Sequence, residues 1–184
     1  MTTKVIVLNG GSSSGKSTIA RCLQDLLLQP WLTIGTDDFV DALPPAMQGS
    51  DGGIEISPDG GVQVGQEFRQ LELAWTAGVV AMVAAGARVI VDEVFLGGAA
   101  SQGRWRRALG DIGTLWVGVR CDPETAATRE AARGDRIRGM AAQQAEIVHR
   151  GVAYDMTVDS AAADALTCAY AIAGRLGNGT ERKP

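Results

Sequence analysis

The segment from Gly10 to Ser17, which reads Gly-Gly-Ser-Ser-Ser-Gly-Lys-Ser, constrains the fold of this chain more than any other feature. It fits the pattern G-x-x-x-x-G-K-[S/T] and stands between an apolar run, Lys4–Leu8, and a segment of helical periodicity, Ser17–Leu28. Glycines at these positions let backbone N–H groups turn toward an anion, and the start of the helix adds positive potential. The segment therefore predicts a phosphate-binding loop between a buried strand and a helix.

Four further apolar runs alternate with helical segments along the rest of the chain. The predicted strands are Trp31–Thr36, Arg88–Val91, Thr114–Val119 and Tyr154–Val158. This alternation indicates an α/β fold with a parallel five-stranded sheet and helices on both faces. Ligands of such sheets gather at the carboxyl ends of the strands, where this sequence places the Gly/Ser loop, Asp37, Asp92 and Arg120.

Residues 44–65 are rich in glycine, proline and aspartate and predict a small insert. Gly53–Ile56 and Gly61–Val64 each alternate in polarity and flank a turn sequence, as in a β-hairpin. The insert precedes the longest predicted helix, Gln66–Ala85, and its position suits a cover over a substrate, although a hairpin without such a role fits the pattern equally well. A chain of 184 residues has room for one domain. We expect that domain to span residues 1–176, followed by a flexible tail at 177–184.

The phosphate loop and the end of the third strand predict a nucleotide and metal site. Lys16 is expected to reach the β- and γ-phosphates of ATP, and the Ser17 hydroxyl and the Asp92 carboxylate to hold Mg²⁺. Asp92 could instead cap the segment that follows it. Glu93 is a weaker metal candidate, because neighbouring residues on a strand point to opposite sides. The expected nucleotide-binding residues are Gly10, Gly11, Ser12, Ser13, Ser14, Gly15, Lys16, Ser17 and Thr18.

An arginine-rich segment at about 129–139 predicts a mobile lid. Arg129, Arg133, Arg136 and Arg138 lie around Gly134-Asp135, where glycine permits the chain to bend. Guanidinium groups on a lid of this kind clamp a moving phosphoryl group. The alternative is a solvated basic helix that pairs with its own acidic residues, Glu124, Glu130 and Asp135.

Composition and the remaining polar residues exclude several other classes of protein. The net charge of −4 gives no overall basic field for nucleic acid, and no apolar run is long enough to span a membrane. The three cysteines are far apart in sequence, as expected of thiols in a reducing cytoplasm. The single histidine, His149, has no evident serine or carboxylate partner, so we expect a surface or packing role for it.

Several segments together resemble the chloramphenicol phosphotransferase family of P-loop kinases. The segments that carry the resemblance are Gly10–Ser17, Gly35–Asp37, Val91–Gly98, Leu115–Cys121 and Arg133–Arg136. The resemblance implies transfer of the γ-phosphoryl group of ATP to the primary hydroxyl of an antibiotic, and hence an antibiotic-resistance enzyme. It also implies Asp37 as the base, with Arg133 and Arg136 as lid arginines.

The family resemblance also selects between two neighbouring carboxylates. Asp37 and Asp38 both follow the second predicted strand, and on an extended backbone only one of them could face the site. The resemblance selects Asp37, which leaves Asp38 to cap the following helix. A neutral, chloramphenicol-like acceptor is expected between the 44–65 insert and the helix that bears Phe68, Leu71 and Trp75.

Two other functions fit the same residues. One is a P-loop kinase for another small hydroxyl compound, such as a nucleoside, a shikimate-like acid or a nucleotide sugar. The other is a nucleotide-binding switch that phosphorylates nothing, although a switch has no need of a base on the acceptor side. The sequence does not predict an oligomeric state.

Overall fold

In the computed structural model, residues 2–58, 60–132 and 139–176 are described in full, together with the backbone of Arg133. Seven strands occur in these residues: β1 (Val5–Asn9), β2 (Leu32–Gly35), β3 (Ile54–Ile56), β4 (Val62–Val64), β5 (Val89–Glu93), β6 (Thr114–Arg120) and β7 (Met156–Asp159). The helices are α1 (Lys16–Leu26), α2 (Thr36–Asp41), α3 (Gln66–Ala84), α4 (Ala99–Leu109), α5 (Pro123–Arg133), α6 (Met140–Ile147) and α7 (Ala165–Arg175), with a short 3₁₀ helix at Pro45–Met47.

The main sheet has five parallel strands in the order β2-β5-β1-β6-β7. Its central strand, β1, is buried on both faces. Ile6 and Leu8 pack toward α1 and α7, whereas Val5 and Val7 pack toward α3 and α4. The predicted α/β architecture with helices on both faces is confirmed, and the reason is the continuous apolar character of the central strand.

The predicted insert hairpin is present as a separate two-stranded antiparallel sheet. Strands β3 and β4 pair with Ile54 opposite Val64. The hairpin rests on a small apolar cluster formed by Phe39, Leu43, Ile54 and Phe68. This cluster joins the hairpin to α2 and to the first turns of α3, at the β2 edge of the main sheet.

The second strand ends earlier than the sequence predicts. It stops at Gly35, and Asp37 and Asp38 lie in the first turn of α2 instead of on extended backbone. The backbone N–H of Gly35 donates to Asp38 Oδ2 at 2.7 Å, which satisfies one of the unpaired donors at the start of the helix. The expectation that Asp37 and Asp38 point to opposite sides assumed an extended backbone, and that assumption was wrong.

None of the helices within the described residues is both long and apolar enough to cross a membrane.

Candidate functional site

The Gly/Ser loop after β1 adopts the conformation expected of a phosphate loop. Gly15 has φ of +83°, in the left-handed region that favours glycine, and α1 begins at the next residue. A side chain at Gly10 would place its Cβ 2.5 Å from the carbonyl oxygen of Val119, so the close approach of these two backbones requires glycine. Gly15 is thus required by a left-handed turn, and Gly10 by a close backbone contact.

Three predicted site residues meet at the start of α1. Lys16 is buried, and its Nζ donates to the carbonyl oxygen of Gly11 at 2.9 Å and lies 3.7 Å from Asp92 Oδ1. Ser17 Oγ donates to Asp92 Oδ2 at 2.6 Å. Asp92 reaches this point because β5 pairs with β1 in a register that sets it beside Leu8. Hydroxyl and carboxylate oxygens are ligands that Mg²⁺ prefers, so Ser17 and Asp92 fit a magnesium site.

Distant residues that the sequence analysis missed support the phosphate loop from the β7 side. The Ser160 hydroxyl donates to the carbonyl oxygen of Ser14 at 2.7 Å, and Arg129 donates to the Ser160 carbonyl oxygen at 2.7 Å. The Ser12 N–H donates to Gln144 Oε1 at 2.8 Å. Ser160 directly follows β7, so its place at the carboxyl edge of the sheet was a usable signal. Gln144 lies in α6, and nothing local in the sequence distinguished it.

A cavity of about 930 Å³ follows the carboxyl edge of the sheet past the phosphate loop. Its two ends lie at opposite edges of the sheet, because β2 and β7 are the outer strands. The β7 end is lined by Arg129, Ser160, Ala163, Asp164 and Ala165. The β2 end is lined by Thr36, Asp37, Asp38, Val40, Ile54, Ile56, Val62, Val94 and Leu96. The phosphate loop and Asp92 lie between these ends, where two bound molecules could meet.

Asp37 and Asp38 both line the β2 end and are both exposed. Asp38 accepts the Gly35 N–H and so has the capping role that the sequence predicts, although it acts from the third position of the helix. Strand alternation cannot choose between these two carboxylates, because both are helical. Asp38 is thus held in the cap of α2, whereas Asp37 lines the cavity from the position before it.

Glu93 points away from Lys16 and Ser17, as strand alternation predicts. Its side chain is partly buried on the other face of β5, where it accepts hydrogen bonds from Thr36 Oγ1 at 2.9 Å and Trp105 Nε1 at 3.0 Å. The backbone N–H of Val94 donates to it at 3.2 Å. Burial raises the pKa of Glu93 from 4.5 to about 7, an effect that the hydrogen bond from Thr36 partly offsets.

The aromatic residues of α3 do not line the cavity. Phe68 is buried and packs edge-on against Phe39 with ring centroids 5.1 Å apart, and Trp75 lies 5.6 Å from the same ring. Leu71 is exposed. The prediction that these three residues of α3 form a wall of the acceptor pocket was wrong, since two of them pack beneath α2. The hairpin half of that prediction agrees with the structure, because Ile54, Ile56 and Val62 line the β2 end.

Three of the four arginines of the predicted lid fall outside the described residues, at least in their side chains. The side chain of Arg133 and all of Arg136 and Arg138 belong to this group, so their contacts stay predictions. Glu130, beside this segment, is buried, and its carboxylate accepts the backbone N–H groups of Gly139 at 2.7 Å and Ala141 at 2.8 Å. Glu130 therefore ties the end of α5 to the start of α6.

His149 supports the back of the phosphate loop. Its Nδ1 lies 2.6 Å from the Tyr154 hydroxyl, which also accepts a hydrogen bond from Asn9, the last residue of β1. Burial and the nearby charges of Arg120 and Lys16 lower the pKa of His149 to about 4. The imidazole is thus neutral at pH 7 and has the packing role expected from the sequence.

Comparison with known proteins shows which family the chain belongs to. Residues 3–177 match the model of a family described as chloramphenicol phosphotransferase-like protein. Two curated relatives, one from each of two strains of Mycobacterium tuberculosis, are 32% identical over 182 residues that cover 86% of this chain and 76% of the relative. Their names give them provisionally as O-phosphotransferases.

Solved structures share the fold over almost the whole chain. A sugar kinase from Janibacter sp. HTCC2649 has a TM-score of 0.70 at 16% identity, with 96% of each chain covered. The tunicamycin resistance protein of Deinococcus radiodurans has a TM-score of 0.67 at 18% identity, with 99% of each chain covered. At these identities the two structures are evidence for the fold alone.

Proposed function

The chain belongs to the chloramphenicol phosphotransferase-like family and is a phosphotransferase enzyme, and from that premise we propose that it transfers the γ-phosphoryl group of ATP to a primary hydroxyl of chloramphenicol or a similar antibiotic. The observation that carries the proposal is the shape of the cavity: a phosphate loop at its centre, and an apolar wall with the carboxylate of Asp37 at its β2 end. The proposed biological consequence is inactivation of the antibiotic in the cytoplasm.

In this proposal the triphosphate lies along the phosphate loop, and residues Gly10–Thr18 surround it. Lys16 supplies a buried positive charge next to the β- and γ-phosphates, where negative charge develops during transfer. Ser17 and Asp92 would hold Mg²⁺, which when bound neutralises phosphate charge. The adenosine extends toward the β7 end, because the β2 end must stay open for the acceptor.

Asp37 is the proposed base. A primary alcohol is a poor nucleophile at neutral pH, and a carboxylate within hydrogen-bond reach can orient the hydroxyl and accept its proton as the oxygen attacks phosphorus. Transfer through a loose transition state needs little proton removal, so orientation supplies much of the effect. Asp37 lines the cavity on the acceptor side of the loop, which supports this role.

The lid arginines remain part of the proposal. Arg133 and Arg136 would contact the phosphoryl group in the transition state of transfer and neutralise its charge. Arg129, which precedes them on α5, is already held beside the phosphate loop by Ser160. That placement supports the proposal, since it sets one arginine of α5 beside the loop.

The lining of the β2 end favours an uncharged acceptor. Several residues that line this end are apolar, and Arg21 of α1 also lines the cavity. Two of the arginines on the nearby helices, Arg69 in α3 and Arg104 in α4, form ion pairs with Glu72. A neutral molecule with an apolar body would bury apolar surface at this end.

The test is a phosphorylation screen with Mg²⁺-ATP and a panel of acceptors. The panel contains chloramphenicol, the same compound with its primary hydroxyl acetylated, a nucleoside, shikimate and a nucleotide sugar. We expect ADP release that depends on chloramphenicol and disappears with the acetylated compound. Preference for a metabolite in direct competition would transfer the assignment to that metabolite, and ATP binding without acceptor-dependent ADP release from any compound would indicate a nucleotide-binding switch.

A further inference from the structure

Glu93 is a partly buried carboxylate for which the proposed chemistry gives no use. It follows Asp92 on β5 but faces the opposite side of the strand. Its three hydrogen-bond donors come from three different parts of the fold: Thr36 on α2, Trp105 on α4, and the backbone of Val94 after β5. A buried carboxylate costs free energy unless such donors compensate it, so this side chain joins the three parts at one point.

The α2 contact matters because α2 carries Asp37. A helix of six residues is not stable by itself, so its position depends on its attachments to the rest of the molecule. Phe39 anchors the middle of α2 in the apolar cluster under the hairpin. The first turn, which bears Asp37, is attached through the Gly35–Asp38 cap and through the bond between Thr36 and Glu93.

The cap and the Glu93 bond do different things. The Gly35–Asp38 bond is internal to the β2–α2 connection, so it shapes the turn without fixing its place on the sheet. The bond from Thr36 to Glu93 connects α2 to β5, the strand that also carries Asp92. Through this bond the carboxylate at the β2 end and the proposed magnesium ligand are placed on one rigid support. Val94, which lines the acceptor wall, is attached to the same carboxylate.

We propose that Glu93 is a positioning residue: by holding Thr36 it fixes the first turn of α2, and so sets the place of Asp37 relative to Lys16 and Asp92. This inference rests on the proposed function, in which Asp37 orients the acceptor. A displacement of about 1 Å in such a group can cost about 10²-fold in rate, so a single anchoring bond is expected to affect kcat measurably.

The experiment is a double-mutant cycle between Thr36 and Asp37. Thr36→Val removes the hydroxyl and keeps the shape of the side chain, and Thr36→Ser is the matched control that keeps the hydroxyl. With chloramphenicol as acceptor, we expect Thr36→Val to lower kcat about 10–100-fold while the KM for ATP stays within about twofold. Thr36→Ser should remain within about threefold of the wild type. In the Asp37→Asn background, Thr36→Val should add less than about twofold, because the group that it positions is already gone.

The cycle is measured a second time without an organic acceptor. Water is then the acceptor, and the rate of slow ADP release reports ATP hydrolysis. This second cycle separates the inference from the identity of the acceptor. If chloramphenicol is not phosphorylated but the two substitutions remain non-additive in ATP hydrolysis, the acceptor assignment fails and the positioning role stands. Full additivity in both cycles, or equal loss in Thr36→Val and Thr36→Ser, would overturn the positioning role.

Glu93→Gln tests the same hydrogen bond by changing its acceptor. Its amide keeps an oxygen for Trp105 but loses the second acceptor, so we expect an intermediate loss of kcat with an unchanged KM for ATP. Thermal unfolding of each variant identifies any general loss of the fold. A Glu93→Gln variant with a wild-type kcat and a wild-type melting temperature would also contradict the proposal.

Discussion

The phosphate loop and the β2 end of the cavity are constructed in opposite ways. The loop follows a fully buried strand, and side chains from α6 and the end of β7 hold its backbone through hydrogen bonds at 2.7–2.8 Å. The β2 end consists of a six-residue helix and a hairpin of two three-residue strands, with its two aspartates exposed. In the proposed function, the rigid part would perform chemistry common to many acceptors, and the part made of small elements would determine which acceptor fits.

Loss of the buried lysine should have the largest effect, because it removes charge from the rigid part. We expect Lys16→Ala to lower phosphoryl transfer about 10³–10⁵-fold, since the positive charge is lost where transition-state charge develops. The measurement is acceptor-dependent ADP release, together with a thermal unfolding curve. Lys4→Ala is the matched control, because Lys4 is exposed and lies at the other end of β1. Turnover of Lys16→Ala near that of the control would refute the role of the loop.

Substitution of Asp37 tests the β2 end with a smaller expected loss. Asp37→Asn keeps the shape of the side chain and removes the base, so kcat should fall about 10²–10⁴-fold with the KM for ATP nearly unchanged. Asp38→Asn should instead cost about 0.5–2 kcal/mol of stability through the weakened cap, with kcat within about tenfold. Initial rates and unfolding curves of the two variants show which aspartate acts in catalysis and which one caps α2. A dead Asp38→Asn enzyme beside an active Asp37→Asn enzyme would exchange their roles.

The apolar wall should respond only through binding of the acceptor. Ile56 lines the β2 end and is partly exposed, so Ile56→Ser removes apolar contact with little disturbance of the core. We expect the KM for the acceptor to rise about 3–10-fold, since an apolar side chain of this size contributes about 1–2 kcal/mol on partial burial. Leu73→Ser on α3 is the control, because Leu73 is exposed and outside the cavity. A change in the KM for ATP would show that the two ends are not separable.

The smallest effect concerns the support behind the phosphate loop and its dependence on pH. The pKa of His149 is about 4 in the folded protein and about 6.5 in the unfolded chain, so the unfolded chain binds the proton more tightly. The contribution of the neutral imidazole to stability is therefore complete above about pH 6.5 and is lost as the pH falls toward 4. His149→Asn should flatten the dependence of the melting temperature on pH in this interval. Parallel curves for the two proteins would argue against this assignment.

The sequence predicts the rigid part well because its signals are local. The buried strand, the glycines and Lys16 are contiguous, and Asp92 is identified by the end of an apolar strand. Ser160 and Gln144 escaped prediction because they reach the loop across 146 and 132 residues of sequence. Such contacts depend on the order of strands in the sheet, which alternation of strands and helices does not specify.

The β2 end was predicted less well because short elements depend on a few side-chain bonds. The bond from Gly35 to Asp38 begins α2 earlier than apolar periodicity suggests. Phe68 and Trp75 lie at helical spacing on α3, and this pattern alone does not distinguish packing beneath α2 from lining a pocket. By contrast, the alternation of Asp92 and Glu93 along β5 held, because five paired residues fix the direction of each side chain.

The bonds from Glu130 to the N–H groups of Gly139 and Ala141 have a consequence for conformational entropy. They join positions nine and eleven residues apart and so convert the intervening chain into a closed loop within the folded protein. Bringing together the ends of a free nine-residue segment costs about 2 kcal/mol from the length-dependent part alone. In this protein that entropic cost is part of the free energy of folding. The position of Glu130 relative to Gly139 and Ala141 is therefore already set before any ligand binds.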